Sequence, residues 1–407
     1  MKLLKFLLRL LPFLILCLFI VDLFSYRFLE RFLVGASHGK IGLDFYSVPR
    51  SFINLQHDKS IFHTGFAHWY GQYATLYFYH PAVSILAGSW LSLFSPDVAF
   101  AVFVAVIAAL LLYAGFLWTK HFTSPTARSL VLLLTACSLP GYLLMWNAQM
   151  HIFTVLSVAI ILSATIDLYN GKNSSTKLIA GLLISLFTKP IMLLWIPALV
   201  IVKETRPATV RALVIYAVVS AIFFLVPFLN PEGDNYIHWK NIVSQSRRVE
   251  QHVEYFSFAT TFPLPLPGKL KNSLYLLTPL LLCASVLWLI KMRDAQKKLR
   301  ALIVLLLALL VSYYFAYTMV WEYHYTTIMA AMPCLLYLYK TSEGKERRWL
   351  LYAFIAGLLL YLPTTYFLLD ELNETNTFIM HLTKVIPATF MLGALTVVLY
   401  RSVFKSH

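Results

Sequence analysis

Twelve apolar runs dominate this chain, and most of them are long enough to cross a lipid bilayer. A spanning helix needs about 20 consecutive, mostly apolar residues. The runs cover residues 6–24, 76–94, 98–118, 129–146, 151–169, 178–202, 209–229, 273–291, 300–320, 324–340, 349–363 and 383–403. The pattern predicts an all-α polytopic membrane protein with about 12 transmembrane helices.

Composition leads to the same class of protein. Apolar residues make up 59% of the 407 residues and charged residues 13%, whereas a soluble domain averages about 25% charged residues. This excludes an ordinary soluble enzyme and a disordered regulator. No internal repeat is visible, and residues 1–407 are expected to form a single integral membrane domain. The four cysteines show no metal-ligand spacing.

The net charge of +15 indicates topology rather than nucleic-acid binding, because the cations cluster beside apolar runs. The richest clusters, 291–300 and 340–348, are expected to be cytoplasmic, with both termini on the same side. The same count of spans places Lys120, Arg128, Lys172 and Lys177 outside, against the positive-inside rule. The topology between residues 119 and 202 therefore stays open.

Two long segments, 25–75 and 230–272, are expected outside the cytoplasm and are the places to look for function. We call them the first and second long loops. The first contains Pro49 and a group of aromatic residues, a pattern typical of short helices at the membrane interface. The second contains Arg247, which could clamp a phosphate or lie on a solvated loop face.

Three positions could carry chemistry. Asp44, just after the first span, could act as a general base or be a solvated loop acid. Lys189 lies deep in an apolar run, where a cation is costly and usually faces a cavity, a partner or a substrate, unless a helix break at Pro190 brings it to the surface. Trp321-Glu322-Tyr323-His324 could form a sugar or phosphate site or part of an aromatic belt.

The other polar positions favour simpler interpretations. Gln149 and His80 interrupt apolar sequence, and such groups more often tie helices together than bind ligands. The spacing of His57, His63 and His68 does not place them on one helix face, so no metal site is predicted.

Five short elements, taken in order, resemble glycosyltransferase family 87. They are Gly42-Leu43-Asp44-Phe45-Tyr46, Tyr77-Phe78-Tyr79-His80-Pro81, Ala148-Gln149, Lys189-Pro190 and Trp321 to His324. That family comprises polyprenol-phosphate-dependent enzymes of the GT-C fold, including bacterial mannosyltransferases. The resemblance covers roughly residues 5–340. Ala148 stands where the family usually has glycine, which leaves the local backbone geometry open.

The resemblance implies a GT-C-type bundle in the bacterial inner membrane, with interfacial helices in the first long loop. It implies inverting transfer of a mannose-like hexose from a polyprenyl-phosphate donor to an extracytoplasmic hydroxyl of a glycolipid or glycan. No metal or other cofactor and no nucleic acid would take part; membrane lipids would surround the enzyme. The implied roles are general base for Asp44, donor-phosphate binding for Lys189, His324 and Arg247, and sugar or acceptor contacts for Tyr46, His80, Gln149, Trp321 and Glu322.

Two other functions fit parts of the pattern. A secondary transporter or lipid-linked-sugar flippase would also use many spans and an intramembrane lysine, but such proteins tend to show repeated halves and short outer loops. A polysaccharide ligase or polymerase would share the lipid-phosphate donor, but usually has its largest outer loop late in the chain.

Overall fold

The computed structural model describes residues 2–29, 45–62, 77, 79–245, 284–316, 322–362 and 381–404, and these residues form helices without any strand. The α-helices are α1 (Lys2–Val21), α2 (Ser47–Gln56), α3 (Pro81–Leu91, with a central π-helical turn), α4 (Pro96–Thr119), α5 (Pro125–Ala136), α6 (Leu139–Trp146), α7 (His151–Tyr169), α8 (Ser175–Phe187), α9 (Ile196–Ile201), α10 (Arg206–Leu225), α11 (Asn235–Gln245), α12 (284–291), α13 (Ala295–Ala316), α14 (Thr326–Thr341), α15 (Gly344–Leu359) and α16 (Ile386–Phe404). Short 3-10 helices cover Pro190–Trp195, Pro227–Leu229 and Glu322–Tyr325, and π-helical turns cover Asp22–Tyr26 and His381–Val385.

Five helical segments in the described residues are long and apolar enough to span a membrane. They are Arg9–Tyr26, Pro96–Thr119, His151–Tyr169, Arg206–Leu225 and Leu382–Ser402. The α5–α6 pair, bent by 45°, forms a sixth if it is one span. These findings confirm an all-helical membrane protein with several spans, while the count of about 12 stays a prediction.

Local sequence signals explain where several helices begin. Proline occupies the first turn of α4 and α5, directly after Ser95 and Ser124, where its missing N–H costs nothing. Ser138 caps α6 by accepting a hydrogen bond from the Gly141 N–H at 3.0 Å. The bundle is built around α7 and α13, most of whose side chains are buried.

Two of the predicted spans are not single helices of membrane-crossing length. In the described part of the run 76–94 the helix is α3, which is about 16 Å long at the α-helical rise and too short to cross a hydrocarbon core of about 30 Å. The run 178–202 breaks after Phe187, because Lys189 is extended and precedes Pro190. One predicted span therefore does not cross the bilayer, and another consists of two segments.

The cationic loops lie together at one end of the bundle, which we call the basic end and define by Lys120, Lys177, Arg300 and Lys340. The Tyr337 hydroxyl donates to Asn170 Oδ1 at 3.0 Å, and Lys340 Nζ lies 5.0 Å from the Phe122 ring centroid. Contacts therefore join the chain after α4, the chain after α7 and the end of α14.

Arg300 and the α14–α15 connection lie at the same end. The Arg300 guanidinium pairs with Glu346 at 2.9 Å, and it also contacts Ser342 and the side chain of Tyr169. The placement of Lys120 and Lys177 opposite the 291–300 cluster was therefore wrong. Because α3 does not cross, α4 brings Lys120 to the same end as the other cations, so the four cationic positions that define the basic end share one side of the bundle, as the positive-inside rule predicts.

A buried carboxylate holds the basic end together. Asp167 Oδ2 pairs with Lys120 and, at 2.9 Å, with Lys177, and it accepts a hydrogen bond from the Ser174 hydroxyl at 3.0 Å. The contacts join α7 to the chain after α4 and to the start of α8. Asp167 thus fixes the relative positions of three helix ends.

We expect Asp167→Asn to destabilise the protein by about 1–2 kcal/mol. The loss stays moderate because the Lys120 and Lys177 side chains are 36% and 47% exposed and can turn to water. Thermal unfolding in detergent measures the change. Asp294→Asn is the matched control, because Asp294 is an exposed helix cap at the same end and asparagine caps equally well. Equal unfolding temperatures for the two variants would contradict this assignment.

The opposite end of the bundle, which we call the histidine end, is defined by His80, His151 and His324. Both long loops reach it. The Ser60 hydroxyl donates to Asp234 Oδ1 at 2.9 Å, and the Phe62 ring stacks on His238 with centroids 5.0 Å apart. In the first long loop, α2 packs its Val48 carbonyl so closely on Gly88 of α3 that a Cβ there would approach it to 2.6 Å.

Candidate functional site

The described residues include five of the nine sequence-predicted site positions with their side chains. These are Tyr46, His80, Gln149, Lys189 and His324. Asp44, Arg247 and Trp321 lie outside the described residues, and for Glu322 only the backbone, in the 3-10 turn, is described. The geometry below therefore concerns the other five and the residues that contact them.

Lys189 and His324 form the centre of the candidate site. Although they are 135 residues apart, Lys189 Nζ lies 3.3 Å from His324 Nε2. An ammonium has only donors, so Nε2 accepts this hydrogen bond and the imidazole carries its proton on Nδ1. The helix break at Lys189 makes the contact possible, since the extended backbone turns this side chain toward the 3-10 helix that holds His324.

A second histidine, His151, completes this cluster, and the predicted site did not include it. Its ring lies 4.7 Å from the His324 ring between centroids, and its Nε2 lies 3.4 Å from the His324 carbonyl oxygen. His151 begins α7, two residues after Gln149. The polar interruption from Asn147 to His151 was the available signal, but a lone histidine in apolar sequence more often has a structural role.

The backbone of His324 is fixed by its neighbours. The Tyr314 hydroxyl donates to the His324 carbonyl at 2.5 Å, and the Thr327 hydroxyl donates to the same oxygen at 3.0 Å. The rings of Tyr314 and Tyr325 stack 4.8 Å apart, with 13° between their planes. The position of the imidazole is therefore set by buried packing and hydrogen bonds.

Gln149 connects this cluster to the chain before α3. The Tyr79 hydroxyl lies 3.4 Å from Gln149 Oε1, and the Tyr79 ring meets the Tyr77 ring edge-on at 5.7 Å. The Tyr77 hydroxyl donates to the His80 carbonyl at 2.9 Å and also meets the side chain of Ser51 in α2. A continuous series of contacts thus runs from the first long loop to the start of α7.

Ala148 resolves the question of backbone geometry in the Ala-Gln element. Its φ is +44°, in the left-handed region that glycine adopts easily and other residues rarely adopt. Alanine therefore adopts a turn conformation here that a glycine would adopt more easily. The turn places Gln149 and His151 immediately before and at the start of α7.

We expect Ala148→Gly to leave stability unchanged or to raise it, since relief of about 1–2 kcal/mol of left-handed strain offsets the lost methyl group and the added chain entropy. The matched control is Ala159→Gly, a buried position inside α7, which should cost about 1 kcal/mol. Chemical or thermal unfolding in detergent compares the two. A larger loss of stability for Ala148→Gly than for Ala159→Gly would show that the backbone at Ala148 is not strained.

His80 is fully buried and uses both ring nitrogens within the protein. Its Nδ1 accepts the Ala82 N–H at 3.1 Å, so the proton is on Nε2, which donates to the Ser220 hydroxyl at 3.0 Å. Five aromatic rings surround it: Phe187, Tyr216, Phe223, Phe224 and Trp239. This environment favours a structural role for His80, joining α3 to α10, over a contact with sugar.

Tyr46 is buried directly before α2. Its ring meets Phe45 at 5.2 Å and stacks on Phe100 at 6.5 Å, and Phe45 in turn stacks on Phe103 at 5.4 Å. These contacts anchor the chain after position 44 on α4, at the histidine end.

A buried arginine, Arg50, lies in α2, the helix that begins directly after Tyr46. Arg50 has 1% of its surface exposed, and burial lowers the pKa of its guanidinium. The first long loop therefore contributes a cation as well as aromatic rings to the histidine end.

The arrangement is suited to binding an anion beside a sugar. Once their mutual hydrogen bond opens, the lysine ammonium can donate to phosphate oxygens, and so can the neutral imidazole in the tautomer that carries its proton on Nε2. Aromatic rings and an amide nearby can contact the apolar and polar faces of a carbohydrate. In the described residues no three histidine, cysteine, aspartate or glutamate side chains group in a way that could hold a metal ion.

Comparison with known families identifies the class of this protein. The sequence profile of glycosyltransferase family 87 matches residues 77–314, more than half of the chain, and the chain belongs to this family. It is therefore a membrane glycosyltransferase. The matched range includes the Tyr77–Pro81 element, Gln149 and Lys189. No curated protein matches the chain.

Proposed function

We propose that this glycosyltransferase moves a hexose, mannose-like in kind, from a polyprenyl-phosphate donor to an acceptor hydroxyl on a glycolipid or glycan. The reaction takes place at the extracytoplasmic face and inverts the anomeric centre. The observation that carries the proposal is the contact of Lys189 with His324 at 3.3 Å, at the end of the bundle away from the cationic loops.

The charge distribution supports the proposed sidedness. Cationic loops are retained in the cytoplasm, and Lys120, Lys177, Arg300 and Lys340 all lie at the basic end. Helix α4, 24 residues and about 36 Å long, runs from the histidine end to the basic end. The histidine end therefore faces the extracytoplasmic side, the side on which lipid-carried sugars are available to glycans of the cell envelope.

The chemistry needs a base on one side of the sugar and a cation on the other. The acceptor oxygen forms a bond to the anomeric carbon and gives its proton to Asp44, while the bond from that carbon to the phosphate oxygen breaks. The leaving phosphate gains one negative charge, and Lys189 and His324 stabilise it as this charge develops. Arg247 adds a second cation at the phosphate.

The remaining residues bind the sugar and the acceptor. Gln149 and Glu322 hydrogen-bond hydroxyl groups, and Tyr46 and Trp321 contact the apolar faces of the rings. The apolar donor tail lies against the membrane-facing helices. The enzyme's partners are thus the lipid-linked donor, the acceptor and the bilayer.

The test uses a panel of polyprenyl-phosphate sugars, each labelled in the sugar, with purified protein in native-like membranes. Transfer from one mannose-like donor that persists in EDTA supports the proposal. Label incorporation only in the absence of EDTA would contradict a metal-free phosphate site. Anomeric analysis of the product distinguishes inversion from retention.

One observation favours a second candidate, a flippase for lipid-linked sugars. The broken helix at Lys189 resembles the discontinuous helices that form substrate sites in transporters. Reconstituted vesicles with a fluorescent lipid-linked sugar in one leaflet distinguish the two functions. Movement of the probe between leaflets without sugar transfer would favour the flippase.

A further inference from the structure

Near the histidine end lies a buried lysine, Lys384, in the π-helical turn that precedes α16. None of its surface is exposed. Its ammonium donates to the carbonyl oxygens of Leu360 and Leu362, each at 2.7 Å. A cation at the C-terminal end of α15 is favoured by the helix dipole, so the lysine joins the start of α16 to the end of α15.

The same ammonium lies over an aromatic ring next to His324. Lys384 Nζ is 5.3 Å from the centroid of the Tyr325 ring, which is within the range of a cation–π interaction. Such a contact is strongest where water is excluded, as it is here. The tyrosine ring is therefore held by a buried charge that belongs to a different helix.

Tyr325 transmits this contact to His324 in two ways. It follows His324 in the chain, and its ring stacks on Tyr314, whose hydroxyl donates to the His324 carbonyl. Displacing the Tyr325 ring would thus disturb both the backbone after His324 and the hydrogen bond to its carbonyl. Interiors are close-packed, so a ring that loses one face contact shifts or changes rotamer.

We propose that Lys384 is a positioning residue for His324 in the glycosyl transfer. Its ammonium holds Tyr325 against Tyr314, and these two rings keep the imidazole facing Lys189. The inference rests on the proposed function, because His324 is the group through which Lys384 acts. It adds a residue from the last helix to a site otherwise formed by earlier parts of the chain.

The experiment is a double-mutant cycle with Lys384→Met and His324→Ala, read as turnover per folded protein and as the Kd for a polyprenyl phosphate. We expect Lys384→Met to lower turnover by about 10- to 100-fold, since a small misplacement of a reacting group has effects of this size. In the His324→Ala background the same change should have no further effect, because the group that it positions is gone. Lys384→Arg, which keeps the charge, should restore most of the activity.

The matched control is Lys340→Met. Lys340 also lies over an aromatic ring, at 5.0 Å from the Phe122 centroid, but at the basic end. Its loss should leave turnover and Kd unchanged. If Lys384→Met does not fold, Tyr325→Leu takes its place in the cycle, because it removes the ring through which the lysine acts.

The outcomes separate the inference from the function on which it rests. Equal losses from Lys384→Met with and without His324 would overturn the positioning role and leave the glycosyltransferase intact. So would a drop in folded protein with normal turnover per molecule. A wild-type protein that neither transfers sugar nor binds polyprenyl phosphate would overturn the proposed function, and the inference with it.

Discussion

Asp44→Asn is expected to lower sugar transfer by about 10²- to 10⁴-fold, the contribution of a positioned general base. Asparagine keeps the size and polarity of the side chain but cannot take the acceptor proton. The measurement is initial transfer from the lipid-linked donor at saturating acceptor. Because the base acts in the chemical step, the loss should appear in kcat, while the Kd for the donor changes little.

Asp58→Asn provides the control for this prediction. Asp58 lies in the same loop, is exposed and has a φ of +55°, a conformation that asparagine tolerates well. It should retain full activity. An Asp44→Asn enzyme that works at near wild-type rate would show that another group removes the acceptor proton, and Asp44 would then be a loop acid.

The long apolar runs predicted several helices closely, because composition alone decides whether a segment can cross a membrane. The run 98–118 became α4 (Pro96–Thr119), and the run 151–169 matches α7. Short interruptions were harder to interpret. A histidine followed by proline at 80–81 starts a helix too short to cross the bilayer, and hydropathy averaged over the run 76–94 concealed this.

The order of the motifs identified the family, which the sequence profile confirmed. The same sequence could not show which polar residues meet. The Lys189–His324 contact spans 135 residues, and the cluster also contains His151, for which no spacing rule exists. Only the packing of α7 against the helices around it places these groups together.

Lys384 was missed for a similar physical reason. A lysine at the edge of an apolar run normally reaches water or lipid headgroups. Here two carbonyl oxygens and an aromatic ring replace the water, and all three come from other parts of the chain. Burial of a charge depends on partners that a single sequence does not reveal.

Lys189→Met should reduce transfer by about 10²- to 10³-fold, the size of effect seen when one donor that stabilises developing negative charge is removed. The factor by which kcat falls should be larger than the factor by which the KM for the donor rises, because the phosphate gains its second negative charge only as the sugar leaves. Lys189→Arg keeps the positive charge but spreads it over a planar guanidinium instead of a compact ammonium. We expect this variant to retain part of the activity.

Lys203→Met is the matched control, since Lys203 is an exposed lysine outside the candidate site, in the chain between α9 and α10. It should transfer sugar at the wild-type rate. A polyprenyl phosphate added as product should inhibit the wild type and Lys203→Met equally, and Lys189→Met more weakly. Equal inhibition of all three proteins, with transfer intact in Lys189→Met, would show that the phosphate does not bind at this lysine. The part-buried Lys189–His324 contact would then serve to join α8 to the 3-10 helix at Glu322–Tyr325.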